Sequence, residues 1–256
     1  MNRHLGTGFL LALQFFSVIP VKKQLPMEKS HITAMYAMLP ILGLLFGSVL
    51  AASAWLLRET TDSSSLLIGF AVVGIGVMLS GGLHLDGLAD TADAYFSYQD
   101  REKRLEIMGD PRIGAFGTMV LLVAIVGKII IIAESIDTIS LILVLMIPIL
   151  SRIGLLALFS STSPAKPSGL AAFFQQRSDQ RTLRLTATVF MGILLAGVVW
   201  AAGIWLACML LVLLLVSLWL YRTWCLKNFG GVTGDLFGAY VEGVEILLWT
   251  SLLFFV

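Results

Sequence analysis

The chain has 256 residues, 58% of them hydrophobic and 13% charged, with a net charge of +1. Soluble domains are about 25% charged, so this composition and a mean hydropathy of +0.92 exclude a water-soluble globular protein and predict an all-α, polytopic membrane protein. The near-zero charge gives no electrostatic case for nucleic acid, and Cys208 and Cys225 form neither a CxxC nor a Cys/His cluster, so neither a zinc site nor a structural disulfide is expected.

The first apolar stretch, MNRHLGTGFLLALQFFSVIP, ends at Pro20 with Lys22 and Lys23 behind it, and no small-x-small cleavage pattern follows. Its few polar residues, His4, Thr7, Gln14 and Ser17, fall on one helical stripe, which predicts an interfacial or re-entrant helix. About twenty apolar residues cross a bilayer. On that measure about seven spans are expected, near 38–57, 66–85, 116–133, 139–159, 185–202, 204–221 and 236–256. The fifth and sixth come from one long oily run, divided near 201–203, where small residues permit a tight turn.

Seven crossings place Arg3, Lys22, Lys23, Lys29, Arg101, Lys103, Arg104, Arg112, Lys166, Arg177, Arg181, Arg184, Arg222 and Lys227 on one side and leave Arg58 on the other. The positive-inside bias then puts the N-terminus and these loops in the cytoplasm. Lys128 falls late in its span and is expected to snorkel outward. Arg152 lies inside a span, toward the cytoplasmic end. No internal repeat or low-complexity linker divides the chain, so 1–256 reads as a single membrane-embedded domain. Its largest cytoplasmic loops, 86–114 and 160–184, are the expected seat of any chemistry.

Three constellations carry that chemistry. In GGLHLDGLADTAD (81–93), Asp86, Asp90 and Asp93 stand at i, i+4 and i+7, on one face if the helix of the second span continues through them. Carboxylates crowded at a lipid boundary repel one another and resist desolvation. A divalent cation relieves both penalties, and Mg²⁺ takes a few carboxylates while keeping positions for water and substrate phosphates. The cluster therefore points to Mg²⁺-dependent phosphoryl transfer. In RLEIMGDPRIGAFG (104–117), Asp110 offers a further ligand and Arg112 a bidentate phosphate clamp. In GGVTGDLFGAYVEGVEILLW (230–249), Asp235, Gly238, Glu242 and Glu245 share one stripe. Intramembrane acids normally face the protein interior and mark a site; the competing reading is an ion pair, with Arg152 as partner. Lys166, in SPAKPSGLAAFF (163–174), is either a nucleotide-phosphate contact or a solvated loop lysine.

Taken in order, GGLHLDGLADTAD, MGDPRIGAFG and GGVTGD with its glutamate-bearing span resemble the cobalamin synthase family, adenosylcobinamide-GDP ribazoletransferase. FLLALQFFSVIPV, the SRIG around Arg152 and GLAAFF extend the resemblance over essentially the whole chain. It implies a multi-pass enzyme of the cell inner membrane, with its active site toward the cytoplasm and Mg²⁺ as cofactor. Its implied partners are the lipid bilayer and two small-molecule substrates, with a homo-oligomer left open. The implied reaction joins adenosylcobinamide-GDP to α-ribazole, or its 5′-phosphate, and releases GMP late in coenzyme B12 assembly. On that footing, one or two ions sit on Asp86 and Asp90 with help from Asp110. Asp93 is the expected base and His84 its substitute. Arg112 and Arg152 hold phosphate oxygens, and Asp235, Glu242 and Glu245 complete a polar wall. One departure is Ala94, where the family favours glycine after the third aspartate.

The nearest rival enzyme is a CDP-alcohol phosphotransferase of phospholipid synthesis. Its DGxxAR pattern is broken here by DGLAD, with no arginine after Ala89. A cation-coupled transporter would also bury acids, but such folds often show duplicated halves, and none is visible. A scaffold with merely structural carboxylates is the third alternative.

Overall fold

A computed structural model of the chain describes residues 2–255. Among these residues the fold is helical, and the one β-like feature is an isolated bridge between Pro164 and Val232. Helices α1 (Asn2–Phe16) and α2 (Lys29–Ala37) pack together at the entrance to α3 (Leu39–Thr60). Then follow α4 (Ser65–Ser80), α5 (Leu83–Ser97), α6 (Arg101–Ile107), α7 (Ala115–Ser135), α8 (Leu141–Ser161), α9 (Leu170–Gln176), α10 (Gln180–Ala202), α11 (Ile204–Phe229) and α12 (Gly234–Leu252).

Packing separates the long helices into an inner and an outer set. Helix α8 is buried along most of its length, with α3 and α12 against it. Leu42, Phe46, Leu150, Leu156, Phe159 and Leu248 anchor the core there. Helices α7, α10 and α11 show most of their apolar surface outward, with Val123, Ile193, Trp200, Trp205 and Trp219 exposed. In water such a surface would be a large unpartnered patch; in lipid it is the expected exterior.

Five segments are long and apolar enough to cross a membrane: α2–α3 taken together, α7, α8, α10 and α11. The pair α4 and α5 qualifies only jointly, and it is bent by 90°. Helix α12 carries Asp235, Glu242 and Glu245 in its length. The five to six spans found by length and composition thus fall short of the seven read from the sequence, because α4 is short and α12 is acidic. The division of the long oily run is where the sequence placed it: Gly203, at φ +89°, separates α10 from α11.

One end of the bundle gathers the polar segments. Ala165 N–H donates to Val232 O at 2.9 Å and Val232 N–H to Ser163 O at 3.0 Å, docking the 163–166 loop on the loop before α12. Arg104, expected only as a cytoplasmic loop cation, is buried and donates from Nη1 to Asn228 Oδ1 at 2.9 Å and from Nε to Tyr98 O at 2.7 Å. It ties α6 to the end of α11, and α5 is held between these loops, α7 and α12.

Candidate active site

The local backbone decides where the aspartates point. Gly81 and Gly82 both take left-handed conformations, φ +65° and +76°, which side-chain-bearing residues rarely adopt. Their N–H groups close the last turn of α4 on Met78 O and Val77 O, and α5 then leaves at 90°. The expected uninterrupted helix is therefore corrected: α4 stops at Ser80, and α5, bearing the three aspartates, turns away from the line of α4. Their i, i+4, i+7 spacing survives within α5 itself.

Two close approaches fix α5. On one side, a Cβ at Gly87 would come within 2.6 Å of Asp235 O, so only glycine permits this seating of α5 on α12. On the other, Asp93 is buried, and its two oxygens accept from the N–H groups of Gly114 at 2.7 Å and Gly117 at 2.9 Å. It caps the first turn of α7, where free amides and the helix dipole favour an anion. Any side chain at Gly114 or Gly117 would collide with that carboxylate. The first two sequence motifs thus interlock through Asp93, and the first and third through Gly87.

This packing brings Asp86, Asp90 and Asp235 to one place. Asp86 is exposed; Asp90 and Asp235 are half-buried. Burial pushes the Asp90 carboxyl up to about 7, and repulsion from Asp86, Asp235 and Asp93 adds to it. Asp86 lies where two clefts meet. One is open, about 570 Å³, and also lined by Asp90, Ser80, Pro111 and Ile113. The other, about 170 Å³, is lined by His84, Asp235 and aromatic rings.

The remaining expected residues divide. Asp110 and Arg112 satisfy each other: Arg112 donates Nη2 to Oδ2 at 2.6 Å and Nε to Oδ1 at 2.9 Å, which holds Asp110 at about 2. The pair sits on the loop whose Pro111 and Ile113 reach the open cleft, with Arg112 largely exposed. Arg152 is buried with Glu245 and Ser151 as partners, and Lys128 reaches Glu242 at 3.1 Å and Glu245 at 2.6 Å. The ion-pair alternative for the two glutamates is what the structure holds. Lys128 is a correction: it turns inward, because two buried carboxylates offer it more than the interface does. Lys166 donates to Leu105 O at 2.6 Å. His84 is buried and faces both the aromatic cleft and an enclosed cavity of about 40 Å³ beside the ion network.

Among the described residues no group of three or more His, Cys, Asp or Glu side chains is arranged to hold a metal unaided. The donors that do converge are hard carboxylate oxygens, the class Mg²⁺ prefers, and too few to enclose it. An ion of that kind fits here only if a ligand supplies the other oxygens.

The chain matches the cobalamin-5-phosphate synthase family over residues 8–253. It belongs to that family. Among its relatives are proteins named adenosylcobinamide-GDP ribazoletransferase. One from Geobacillus sp. (strain WCH70) is 34% identical, across 95% of this chain and 94% of the relative. Another, from Geobacillus kaustophilus, is 36% identical across 94% and 93%. A third, from Clostridium tetani, is 32% identical across 96% and 95%. No solved structure matches the chain. What sequence reasoning missed is the aromatic side of the site. Phe15, Phe16, Tyr36 and Phe237 come from distant segments and look like ordinary apolar filler until α1, α2 and α12 converge.

Proposed function

We propose that this chain is an adenosylcobinamide-GDP ribazoletransferase, joining its nucleotide-activated substrate to α-ribazole or the riboside 5′-phosphate and releasing GMP. The observation that carries the reading is the convergence of Asp86, Asp90 and Asp235 on adjoining clefts, in a chain of this family. Asp86 and Asp90 would hold Mg²⁺, with Asp235 next to them and diphosphate oxygens filling the open positions. The ion, when bound, neutralises the diphosphate and the charge growing on the departing GMP.

The chain's own residues do the rest. The open cleft receives the diphosphate, and Arg112, largely exposed on the loop at the rim, exchanges part of its hold on Asp110 for a phosphate oxygen. A ribose hydroxyl oxygen forms a bond to the cobinamide-side phosphorus as the bridging P–O bond to GMP breaks. The hydroxyl proton leaves to water in the open cleft, because Asp93 is committed to two backbone amides and the buried His84, with Arg152 and Lys128 near it, resists taking a positive charge. Asp93 keeps α5 and α7 in register, and Glu242, Glu245, Arg152 and Lys128 brace the helices behind. Aligning the reactants and neutralising charge are the main requirements of such a transfer.

The basic loops gather at the same end as the acids, which supports an active site facing the cytoplasm from a multi-pass protein of the cytoplasmic membrane. Purified protein in detergent, given adenosylcobinamide-GDP, α-ribazole and Mg²⁺, should yield GMP and cobalamin in equal amounts. Consumption of a CDP-activated alcohol instead, or no turnover with either pair, would overturn the reading.

A further inference from the structure

The aromatic cleft beside Asp86 has a shape and lining that the transfer chemistry does not require. We infer that it is the seat of the flat base of the riboside substrate, an inference that rests on the proposed function. Its wall is formed by Phe15, Phe16, Tyr36, Phe174 and Phe237, drawn from α1, α2, α9 and α12. These rings brace one another: Phe15 meets Phe174 edge-on at 5.2 Å, Tyr36 lies 5.9 Å from Phe174, and Phe159 stacks behind Tyr36 at 3.7 Å. A wall so held is preorganised for a planar guest, which gains ring–ring contact without ordering the side chains that receive it.

Size and polarity select among the ring systems that the two substrates offer. A cavity of about 150 Å³ takes a benzene ring, so 170 Å³ suits a small fused aromatic and excludes a corrin macrocycle. Guanine has a hydrogen-bonding edge whose burial is costly without partners. The cleft's polar side chains, His84, Asp86 and Asp235, lie together along α5 and the start of α12, and its other side chains are aromatic or aliphatic carbon apart from the Tyr36 hydroxyl. A base without such an edge enters without that cost. Asp86 lines both clefts, so a ring seated here places its attached ribose at the carboxylates and facing a diphosphate in the open cleft.

Gly234 provides the test. It lines the cleft, its φ is unexceptional, and a Cβ built on it meets nothing within 4 Å, so larger side chains there add bulk at the cleft without backbone strain. In the series Gly234→Ala, Gly234→Val and Gly234→Leu, the KM for α-ribazole should climb stepwise to more than about tenfold, with the KM for adenosylcobinamide-GDP within about twofold of wild type. Phe174→Leu, which keeps an apolar side chain and removes the ring, should raise the same KM. Equilibrium dialysis of α-ribazole alone against the same detergent-purified proteins gives a readout independent of turnover. Binding by wild type that is lost in Gly234→Leu supports the cleft even if no cobalamin forms, in which case the reaction assignment fails and the cleft stands. No riboside binding by wild type, undiminished binding by a folded Gly234→Leu or Gly234→Val protein, or a KM increase carried by the GDP substrate would overturn the inference.

Discussion

A half-buried carboxylate that shares its surroundings with three others holds its proton more tightly than in water, and Asp90 sits at about 7 on those grounds. Below that pH a cation must displace the proton; above it the oxygens are free. The Mg²⁺ concentration giving half-maximal rate should therefore rise as pH is lowered from about 8 to about 6. Asp235→Asn removes one repelling neighbour and should move that dependence to lower pH; a Mg²⁺ requirement flat over the range would contradict the assignment. Asp86 lies exposed at the junction of the two clefts. Asp86→Asn should lower turnover by about a hundredfold or more, by analogy with losing one preorganised electrostatic partner of a transition state, while folded yield in detergent stays at wild-type level. The pairing of Asp110 with Arg112 makes a different expectation: Asp110→Asn should leave metal dependence in place, since its oxygens face Arg112.

At the scale of elements, α5 is set by a break and a clasp. An alanine at Gly82 would have to hold φ near +76°, at a cost of about 1–2 kcal/mol, readable as a lower melting temperature. In Asp93→Asn, an amide NH₂ would confront one of two backbone donors, leaving a buried N–H unsatisfied at about 1–3 kcal/mol. The variant should lose stability, with activity per folded molecule largely kept; a fully stable but inactive Asp93→Asn would restore the base role expected from sequence. The three-acid spacing was legible because helical periodicity is local. The parting of their roles was not, because what engages Asp93 is backbone, 21 and 24 residues away, and backbone amides leave no mark in a residue pattern. Nor was the 90° turn: two glycines after an apolar run read equally well as helix end or helix interior. The Gly203 break was legible because the run around it was too long for a single crossing.

Across the whole molecule, Lys128 of α7, Arg152 of α8, and Glu242 and Glu245 of α12 make a buried set of two cations and two anions, tying three helices behind the site. Removing one member strands a charge. Lys128→Met should destabilise by about 3–5 kcal/mol, and adding Glu242→Gln should recover much of the loss in a double-mutant cycle. Independent effects that simply add would mean the set is not a unit. Lys128 was misread because its partners lie 114 and 117 residues on, beyond any periodicity, whereas the charge of the two glutamates inside an apolar span was plain. The outward faces of α7, α10 and α11 carry the apolar surface, while Lys128, Arg152, Glu242 and Glu245 are buried between helices. In the proposed site, acidic side chains grip a cation jointly with a diphosphate. Titrating Mn²⁺ by electron paramagnetic resonance into the detergent-purified protein tests this, with and without adenosylcobinamide-GDP. Uptake should tighten when the diphosphate substrate is present and be lost in Asp86→Asn and Asp90→Asn; uptake indifferent to the substrate and unchanged in both variants would contradict it.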